Sequence, residues 1–332
     1  MERATDRILR SFLSERRQEA SEIDPRLSTL VDELEATVSS GGKRLRPRLL
    51  LWGYRAGAKQ VDDKGGEPIQ RVAASLELLH TFALIQDDVM DRSPTRRGRP
   101  ASHVTLAIQA SREAGRFGES AAILLGDLAL IWADRLMLES GFSKERLTHA
   151  LVIYNALRTE VTLGQYLDIL AAHADQPTEE DALQVNRYKT ATYTVQRPIQ
   201  LGMALSGADA GAIETVPAYA VPAGIAFQLR DDLLGAVGDP AQTGKPSGED
   251  LLTRKPTWLW ARTLRLSPGA AALTDLEGLR RAVVESGAAA QAEGKIQELA
   301  AEAMAGLAMM PVSAELRQEL ARLTEQMVWR TS

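Results

Sequence analysis

Apolar residues recur at intervals of three and four positions over long stretches of this chain. The pattern covers residues 71–90, 121–139, 144–171, 179–205 and 219–234, and an Ala-rich stretch follows Leu273. Such spacing is typical of helices, whereas alternating strand patterns bounded by turns are scarce. Several runs are apolar on more than one face. We therefore predict an all-α fold, a bundle of about ten or more helices around a central cavity.

The composition limits what the chain can be. Of 332 residues, 45 % are apolar, so the chain can bury a sizeable core. A net charge of −5 gives no sign of nucleic-acid binding, and the absence of cysteine excludes disulfides and thiolate metal sites. No apolar run approaches the roughly 18 residues of a membrane span. The charged first residues lack the apolar core of a signal peptide. We expect a cytoplasmic protein without stable membrane insertion.

The residues with distinctive chemistry run from Lys43 to Lys255, and no internal repeat or linker-like segment divides them. The longest polar loop, residues 235–256, is charged rather than low in complexity. If these residues converge on one cavity, residues 1–332 form a single domain, and we predict this arrangement.

Two helical runs end in clusters of aspartates. HTFALIQDDVMD ends in Asp87, Asp88 and Asp91, and FQLRDD ends in Asp231 and Asp232. Asp87 and Asp91 are four residues apart, so both project from one face of a helix. Carboxylates this close repel each other unless a cation lies between them, and oxygen-only ligands suit Mg²⁺. The clusters therefore predict magnesium binding.

Each cluster alone has a simpler explanation, an acidic helix end that faces water. Here both clusters end apolar helices that we expect to be buried, where an uncompensated carboxylate is costly. A di-iron carboxylate bundle shares the four-residue spacing but needs Glu and a Glu-x-x-His pattern, which neither segment has. Magnesium is the interpretation that fits both clusters.

Three basic segments accompany the aspartates. GGKRLRPRL precedes them, SPTRRGRP follows the first cluster, and GKPSGEDLLTRKPT follows the second. Arg grips phosphate oxygens in pairs and Lys adds a point charge, so this order suits magnesium-bridged diphosphates. Solvated surface charge explains any one segment alone, but it fits all three poorly because each has Gly or Pro at its turn. The first segment lacks the Walker spacing of a nucleotide P-loop.

Three further residues are candidates on position alone. His80 lies two turns before Asp87 on the same helix face, although a lone His is more often a core or surface residue. Lys189 and Thr190 lie in a helical run that contains two more threonines, and a β-branched packing face explains them equally well.

In their order along the chain, these motifs resemble those of the trans-isoprenyl diphosphate synthases, the polyprenyl synthetase family. The resemblance spans nearly the whole chain and rests on GGKRLRP, DDVMD with RRG, GQYLD at 164–168, the KT pair, FQLRDD and GKPSGEDL. It implies an isoprenoid synthase fold and a homodimer. It also implies a short-chain prenyltransferase that condenses isopentenyl diphosphate with dimethylallyl, geranyl or farnesyl diphosphate.

The resemblance gives individual residues a role. Asp87, Asp91 and Asp231 are expected to hold magnesium, about three ions per active site, with Asp88 and Asp232 as further candidates. The residues expected to bind isopentenyl diphosphate are Lys43, Arg46, His80 and Arg97, and those expected to bind the allylic diphosphate are Arg96, Lys189, Lys245 and Lys255. A catalytic role, facing the allylic cation, is expected for Lys189, Thr190 and Gln228.

Two positions depart from the family pattern. Gly235 stands where a third aspartate is usual, and Gln86 where many relatives have His.

Phe82 and Ala83 are candidates for setting the length of the product. Phe82 precedes the first motif by five residues, and small Ala83 lies one turn below Asp87. By resemblance Phe82 ends the cavity for the growing chain, and an ordinary core Phe is the equal alternative. We expect geranylgeranyl diphosphate as product, with farnesyl or a longer polyprenyl diphosphate as alternatives.

Two other functions share part of the pattern. A class I terpene cyclase uses a similar first aspartate motif but needs no second diphosphate site, so GGKRLRP and His80 argue against it. A non-catalytic subunit of a heteromeric prenyltransferase is disfavoured by the intact DDVMD, RRG and KT motifs.

In the favoured reaction, magnesium helps the diphosphate leave, a dry apolar cavity shelters the allylic cation, and the released diphosphate takes the final proton.

Overall fold

The computed structural model describes residues 2–58, 65–238 and 248–329. These residues are almost entirely helical, which confirms the all-α prediction. The strands described are two short segments that pair as an antiparallel hairpin. No helix in the described ranges is long and apolar enough to cross a membrane.

The chain packs into two compact units, Met1–His149 and Ala150–Ser332. The prediction of a single domain stays a prediction. In the first unit, α4 packs chiefly against α6. Its elements are α1 (Glu2–Ile23), α2 (Ser28–Ser39), α3 (Leu45–Gly57), α4 (Gly66–Met90), β1 (Thr95–Arg96), β2 (Arg99–Pro100), α5 (Ser102–Ala107) and α6 (Ala114–Leu138).

The second unit is built around α11, which packs against α15 and a π-helix. The first helix, α7 (Lys144–Ala172), begins shortly before the boundary of the unit. The following elements are α8 (Glu179–Val185), the π-helix (Asn186–Gln196), α9 (Arg197–Ser206), α10 (Ala210–Glu214), α11 (Val216–Val237), α12 (Glu249–Leu252), α13 (Trp258–Leu266), α14 (Leu276–Glu285), α15 (Ala288–Met309) and α16 (Ala314–Val328).

Local side-chain caps explain where several helices of the second unit begin. Thr178 and Asp181 form a reciprocal capping box at α8. Thr257, Asp275 and Ser313 each accept a hydrogen bond from a backbone N–H in the first turn of α13, α14 and α16. These contacts satisfy donors that a helix start leaves without a partner.

The helical run predicted at 179–205 is divided into three parts, α8, the π-helix and α9. A proline inside a helical run predicts an interruption, and Pro198 lies in the first turn of α9 directly after the π-helix. Proline has no N–H to donate, and its ring crowds the carbonyl four residues earlier. The wider π-helical turns relieve that crowding. The interruption is therefore a change of helix type rather than a break.

Two buried glycines let neighbouring helices approach the π-helix closely. A Cβ added to Gly164 of α7 would lie 2.6 Å from the backbone nitrogen of Lys189. A Cβ added to Gly224 of α11 would lie 2.4 Å from the Cα of Ala191. Neither distance is possible without backbone movement, so these glycines allow α7 and α11 to pack directly against the backbone of the π-helix that carries Lys189.

We expect Gly224→Ala to destabilise the protein by about 1–3 kcal/mol, because the added methyl overlaps the π-helix backbone. The matched control is Gly294→Ala in α15, where an added Cβ meets nothing within 4 Å. That change should stabilise the protein by about 0.5–1 kcal/mol through the helix propensity of alanine. Urea denaturation midpoints measure both, and midpoints that move in the same direction would contradict the close approach.

Candidate active site

The first aspartate cluster lies at the carboxyl end of α4. Asp88 is buried, with 4 % of its surface exposed, and Asp91 directly follows the last residue of the helix. Arg96 Nε donates to Asp88 Oδ1 at 2.8 Å, and Arg96 Nη2 lies 3.3 Å from Asp87 Oδ2. Burial raises the pKa of Asp88, against the hydrogen bond from Arg96, which lowers it. The structure thus brings Asp87, Asp88 and Arg96 together.

Arg96 and Arg97 are carried by the β1–β2 hairpin. Arg96 pairs with Arg99 across the two strands, so the turn between them has two residues. Both turn residues have positive φ, 53° at Arg97 and 74° at Gly98, as a two-residue hairpin of this twist requires. The tight turn sends two successive arginine side chains to different partners.

The second of these arginines contacts the glycine pair that precedes α3. Arg97 Nη1 donates to the carbonyl of Gly41, and Arg97 Nη2 lies 3.4 Å from His80 Nε2. A Cβ added to Gly42 would lie 2.9 Å from Arg97 Nη2, so a side chain at this position would displace the guanidinium. Lys43 follows this pair at the surface. The structure therefore brings two of the predicted isopentenyl diphosphate ligands, Arg97 and His80, together beside the glycine pair.

Arg44, in the same motif, points away from this surface. It has a left-handed backbone (φ 46°), and its side chain is only 12 % exposed. The guanidinium pairs with buried Glu77, lies 3.1 Å from Asp6, and donates to the carbonyl of Val38 at 3.0 Å. Glu77 was not among the residues predicted from the sequence. A single Glu in the apolar run LELLH was the available signal, because such a residue needs a buried cation.

His80 lies among arginines. The ring is half-buried, and burial lowers its pKa well below the usual value. The positive charges of Arg46, Arg97, Arg96 and Arg44 lower it further, in that order. Arg46 lies in the first turn of α3, where the helix dipole adds positive potential. His80 is thus neutral at physiological pH, and the surrounding surface favours anions.

In the second unit, three predicted residues are linked through their polar groups. Thr190 Oγ1 donates to Gln228 Oε1 at 2.9 Å, and Gln228 Nε2 donates to Asp232 Oδ1 at 2.8 Å. Lys189 Nζ lies 2.6 Å from Oδ2 of Asp168, the last residue of GQYLD. Lys189 and Thr190 both belong to the π-helix, and both have polar side-chain partners in addition to any packing role.

Asp232 is buried, and burial raises its pKa to about 7, although the hydrogen bond from Gln228 lowers it. The nearby charge of Asp250 raises it further, and that of Lys255 lowers it. Asp250 lies close to Gly235, the position where a third aspartate is usual, because its Oδ2 would be 3.2 Å from a Cβ added there. The segment that follows thus brings a carboxylate next to this position. Lys245 lies outside the described residues.

Gln86, the other departure from the family pattern, is a packing residue between α4 and α6. Its Nε2 donates to the carbonyl of Ile123 at 3.3 Å and lies 3.5 Å from Asp127 Oδ1. A Cβ on Gly126 would lie 2.7 Å from the same Nε2, so the glycine leaves room for the amide. Phe82 and Ala83, which lie earlier on α4, are half-buried.

The aspartates fit magnesium in their chemistry and position. Both clusters lie near the carboxyl end of a helix, where the dipole disfavours negative charge and a cation relieves the repulsion. Among the described residues, no three carboxylate or imidazole side chains are grouped around one point. Magnesium commonly takes only one or two carboxylates and completes its shell with water and phosphate oxygens. Asp87 and Asp91 in the first unit, and Asp231 in the second, suit this coordination by few carboxylates.

The fold is close to that of a known enzyme. A crystal structure of the geranylgeranyl pyrophosphate synthase from Corynebacterium glutamicum, complexed with isoprenyl diphosphate and magnesium, superposes with a TM-score of 0.92 at 35 % identity. The match covers 98 % of this chain and 97 % of that chain. The sequence profile described as polyprenyl synthetase matches residues 28–292. The chain belongs to the polyprenyl synthetase family. This membership confirms the resemblance of its motifs.

Other polyprenyl synthetases with similar identity are named for different products. A geranylfarnesyl diphosphate synthase of Aeropyrum pernix is 32 % identical over 313 residues, 88 % of this chain and 92 % of that enzyme. A farnesyl diphosphate synthase of Geobacillus stearothermophilus is also 32 % identical, over 74 % of this chain and 82 % of that enzyme. Overall identity therefore does not select a product.

The lowered pKa of His80 predicts a pH dependence of stability. Below about pH 6.5 the unfolded chain binds a proton at this position that the folded protein does not bind. Stability is therefore lost as pH falls. Relative to His80→Gln, the wild type should lose about 1 kcal/mol of unfolding free energy between pH 7.5 and 5.5. Urea denaturation at both pH values measures it, and a constant difference would contradict a neutral His80.

Proposed function

We propose that this protein is a short-chain trans-prenyltransferase, which joins isopentenyl diphosphate to an allylic diphosphate. The proposal rests on the fact that the neighbouring residues Arg96 and Arg97 contact different groups. The first contacts the aspartates of α4, and the second contacts the glycine pair beside His80. Two kinds of anion site therefore adjoin within the first unit, one suited to a metal-bound diphosphate and one to a diphosphate held by cationic side chains alone.

The two competing functions fit this arrangement less well. A terpene cyclase ionises one diphosphate and has no use for a second anion site around Gly41 and His80. A non-catalytic subunit has no need for the polar chain from Thr190 through Gln228 to Asp232. Incorporation of isopentenyl diphosphate at increasing magnesium separates all three, because a cyclase consumes the allylic substrate alone and a non-catalytic subunit consumes neither.

We propose that the protein uses a divalent metal ion, that this ion is magnesium, and that about three ions bind per active site. Asp87, Asp91 and Asp231 would hold it, with Asp88 and Asp232 as further candidates. Bound metal would act as a Lewis acid that makes diphosphate a better leaving group. Arg96, Lys189, Lys245 and Lys255 would bind the allylic diphosphate. Lys43, Arg46 and Arg97 would bind isopentenyl diphosphate as cations, and the neutral His80 ring would bind it through a hydrogen bond.

The side chains of the second unit would stabilise the allylic cation. When the allylic carbon–oxygen bond breaks, the electron pair leaves with diphosphate and the carbon becomes positive. Thr190 and Gln228 would present oxygen dipoles to it, because the hydrogen bond between them fixes both groups in advance. The double bond of isopentenyl diphosphate then forms the new carbon–carbon bond. The departing proton is taken by the released diphosphate, so no protein base is required.

We propose a homodimer, formed at least in part through α6. Several large apolar side chains of this helix face outward, and an exposed group of such side chains is typical of a protein interface. Between 42 % and 63 % of the surface of each of these four side chains is exposed: Ile123, Leu124, Ile131 and Leu138.

Loss of a metal-binding carboxylate should abolish turnover. We expect Asp87→Ala and Asp91→Ala to lower isopentenyl diphosphate incorporation by at least about a hundredfold, because transition-state charge loses its metal. The control is Asp175→Ala, at an exposed position far along the sequence from either cluster. Circular dichroism should show unchanged helicity in all three variants. Activity within about tenfold of wild type in either test variant would refute the metal assignment.

Geranylgeranyl diphosphate is the product we propose, with Phe82 as the floor of the cavity. The chain advances by about one helical turn, ~5 Å, per isoprene unit. Phe82→Ala should therefore lengthen the products, and Ala83→Phe should shorten them, as read by chromatography of the dephosphorylated alcohols. An unchanged product distribution in both variants would mean that another helix sets the length, for example near Tyr166.

A further inference from the structure

The β1–β2 hairpin is too short to hold its own shape. Each strand has two residues, and hairpins this small are not stable in isolation. Yet the hairpin must aim two successive arginines at different partners with fixed geometry. Something outside the hairpin must therefore hold its base.

The contact that does so is made by Arg99 in β2. Arg99 Nη2 donates to Glu33 Oε2 of α2 at 3.0 Å, and Arg99 Nη1 lies 3.4 Å from Thr37 Oγ1. Arg99 is the cross-strand partner of Arg96 and lies two residues after Arg97. A displacement of Arg99 therefore moves the whole turn.

Glu33 is firmly held in return. Its side chain is only 5 % exposed, and both carboxylate oxygens accept hydrogen bonds. Ser102 Oγ donates to Oε1 at 2.9 Å, and Thr37 Oγ1 donates to the same oxygen at 3.0 Å. We call these four residues, Glu33, Thr37, Arg99 and Ser102, the Glu33 cluster. It joins α2, β2 and the start of α5 through one buried carboxylate.

The two arginines of the hairpin depend on this cluster to different degrees. Arg96 also contacts Asp88 and Asp87 of α4, which hold it from the other side. Arg97 contacts the carbonyl of Gly41 and the His80 ring. Neither of these partners is an anion, so Arg97 owes more of its position to the base of the hairpin.

We propose that Glu33 is a positioning residue for isopentenyl diphosphate, acting through Arg99 on Arg97. It does not touch the substrate. The inference rests on the proposed function, because Arg97 is assigned to isopentenyl diphosphate there. The cluster supplies a buried negative charge that holds a positive side chain, and through it the hairpin, in one geometry.

The test uses Glu33→Gln in the full-length protein. The amide keeps the shape of the side chain and can still accept from Ser102 and Thr37, but it offers Arg99 no charge. We expect the KM for isopentenyl diphosphate to rise about tenfold, with kcat and the KM for the allylic substrate changing by less than about threefold. The Kd of isopentenyl diphosphate, measured by calorimetry without metal, should rise in parallel.

The matched control is Asp32→Asn, the adjacent position on α2. It also loses an ion pair, with Arg17 at 2.5 Å, but one that is exposed and joins α2 to α1 and not to the hairpin. This variant should keep wild-type KM and Kd. A double variant, Glu33→Gln with Arg99→Gln, should raise the KM no further than either single change.

The outcomes separate the two proposals. A lower melting temperature of Glu33→Gln with unchanged KM and Kd would show that Glu33 is only structural and overturn the inference. Effects that multiply in the double variant would overturn it too, because Glu33 would then act without Arg99. If the wild type binds isopentenyl diphosphate but incorporates none, the proposed function fails, and the calorimetric comparison still decides the role of Glu33.

Discussion

Holding many like charges at close range is the physical constraint on which this structure depends. A surface that grips diphosphate needs several arginines together, and their mutual repulsion would scatter flexible side chains. The first unit solves this with carboxylates buried behind the arginines. Arg44 pairs with Glu77, Arg96 with Asp88, and Arg99 with the buried carboxylate of α2. Such pairs need not add net stability, but each fixes a side chain in one geometry.

The second unit depends on close packing instead. The π-helix has wider turns than an α-helix, and its Lys189 and Thr190 contact residues of α7 and α11 respectively. Gly164 and Gly224 allow both neighbours to reach its backbone, so the position of the π-helix is set by main-chain contact rather than by adaptable side chains. The partners of its polar groups, Asp168 and Gln228, come from those same two helices.

Features that depend on local spacing could be predicted from the sequence. Helical periodicity predicts the all-α fold, and the four-residue interval predicts that Asp87 and Asp91 lie one turn apart. Asp87 lies in the last turn of α4, and Asp91 directly follows that helix. Contacts between distant segments could not be predicted. Nothing in the spacing of residues indicates that Arg44 turns inward, or that Asp250 approaches Gly235. Pro198 predicted an interruption, but the sequence did not indicate that the residues before it would form a π-helix.

The two-residue turn of the hairpin has a consequence for how this segment can vary among related proteins. Side chains alternate in direction along an extended strand, so one residue inserted or deleted in β1 would reverse the direction of Arg96, and one added to the turn would break the pairing of Arg96 with Arg99. In either case the turn would no longer present Arg96 and Arg97 to their present partners. Single substitutions here remove one contact at a time. A change in length would disturb both sites at once, so natural selection should tolerate altered side chains in this turn more readily than an altered number of residues.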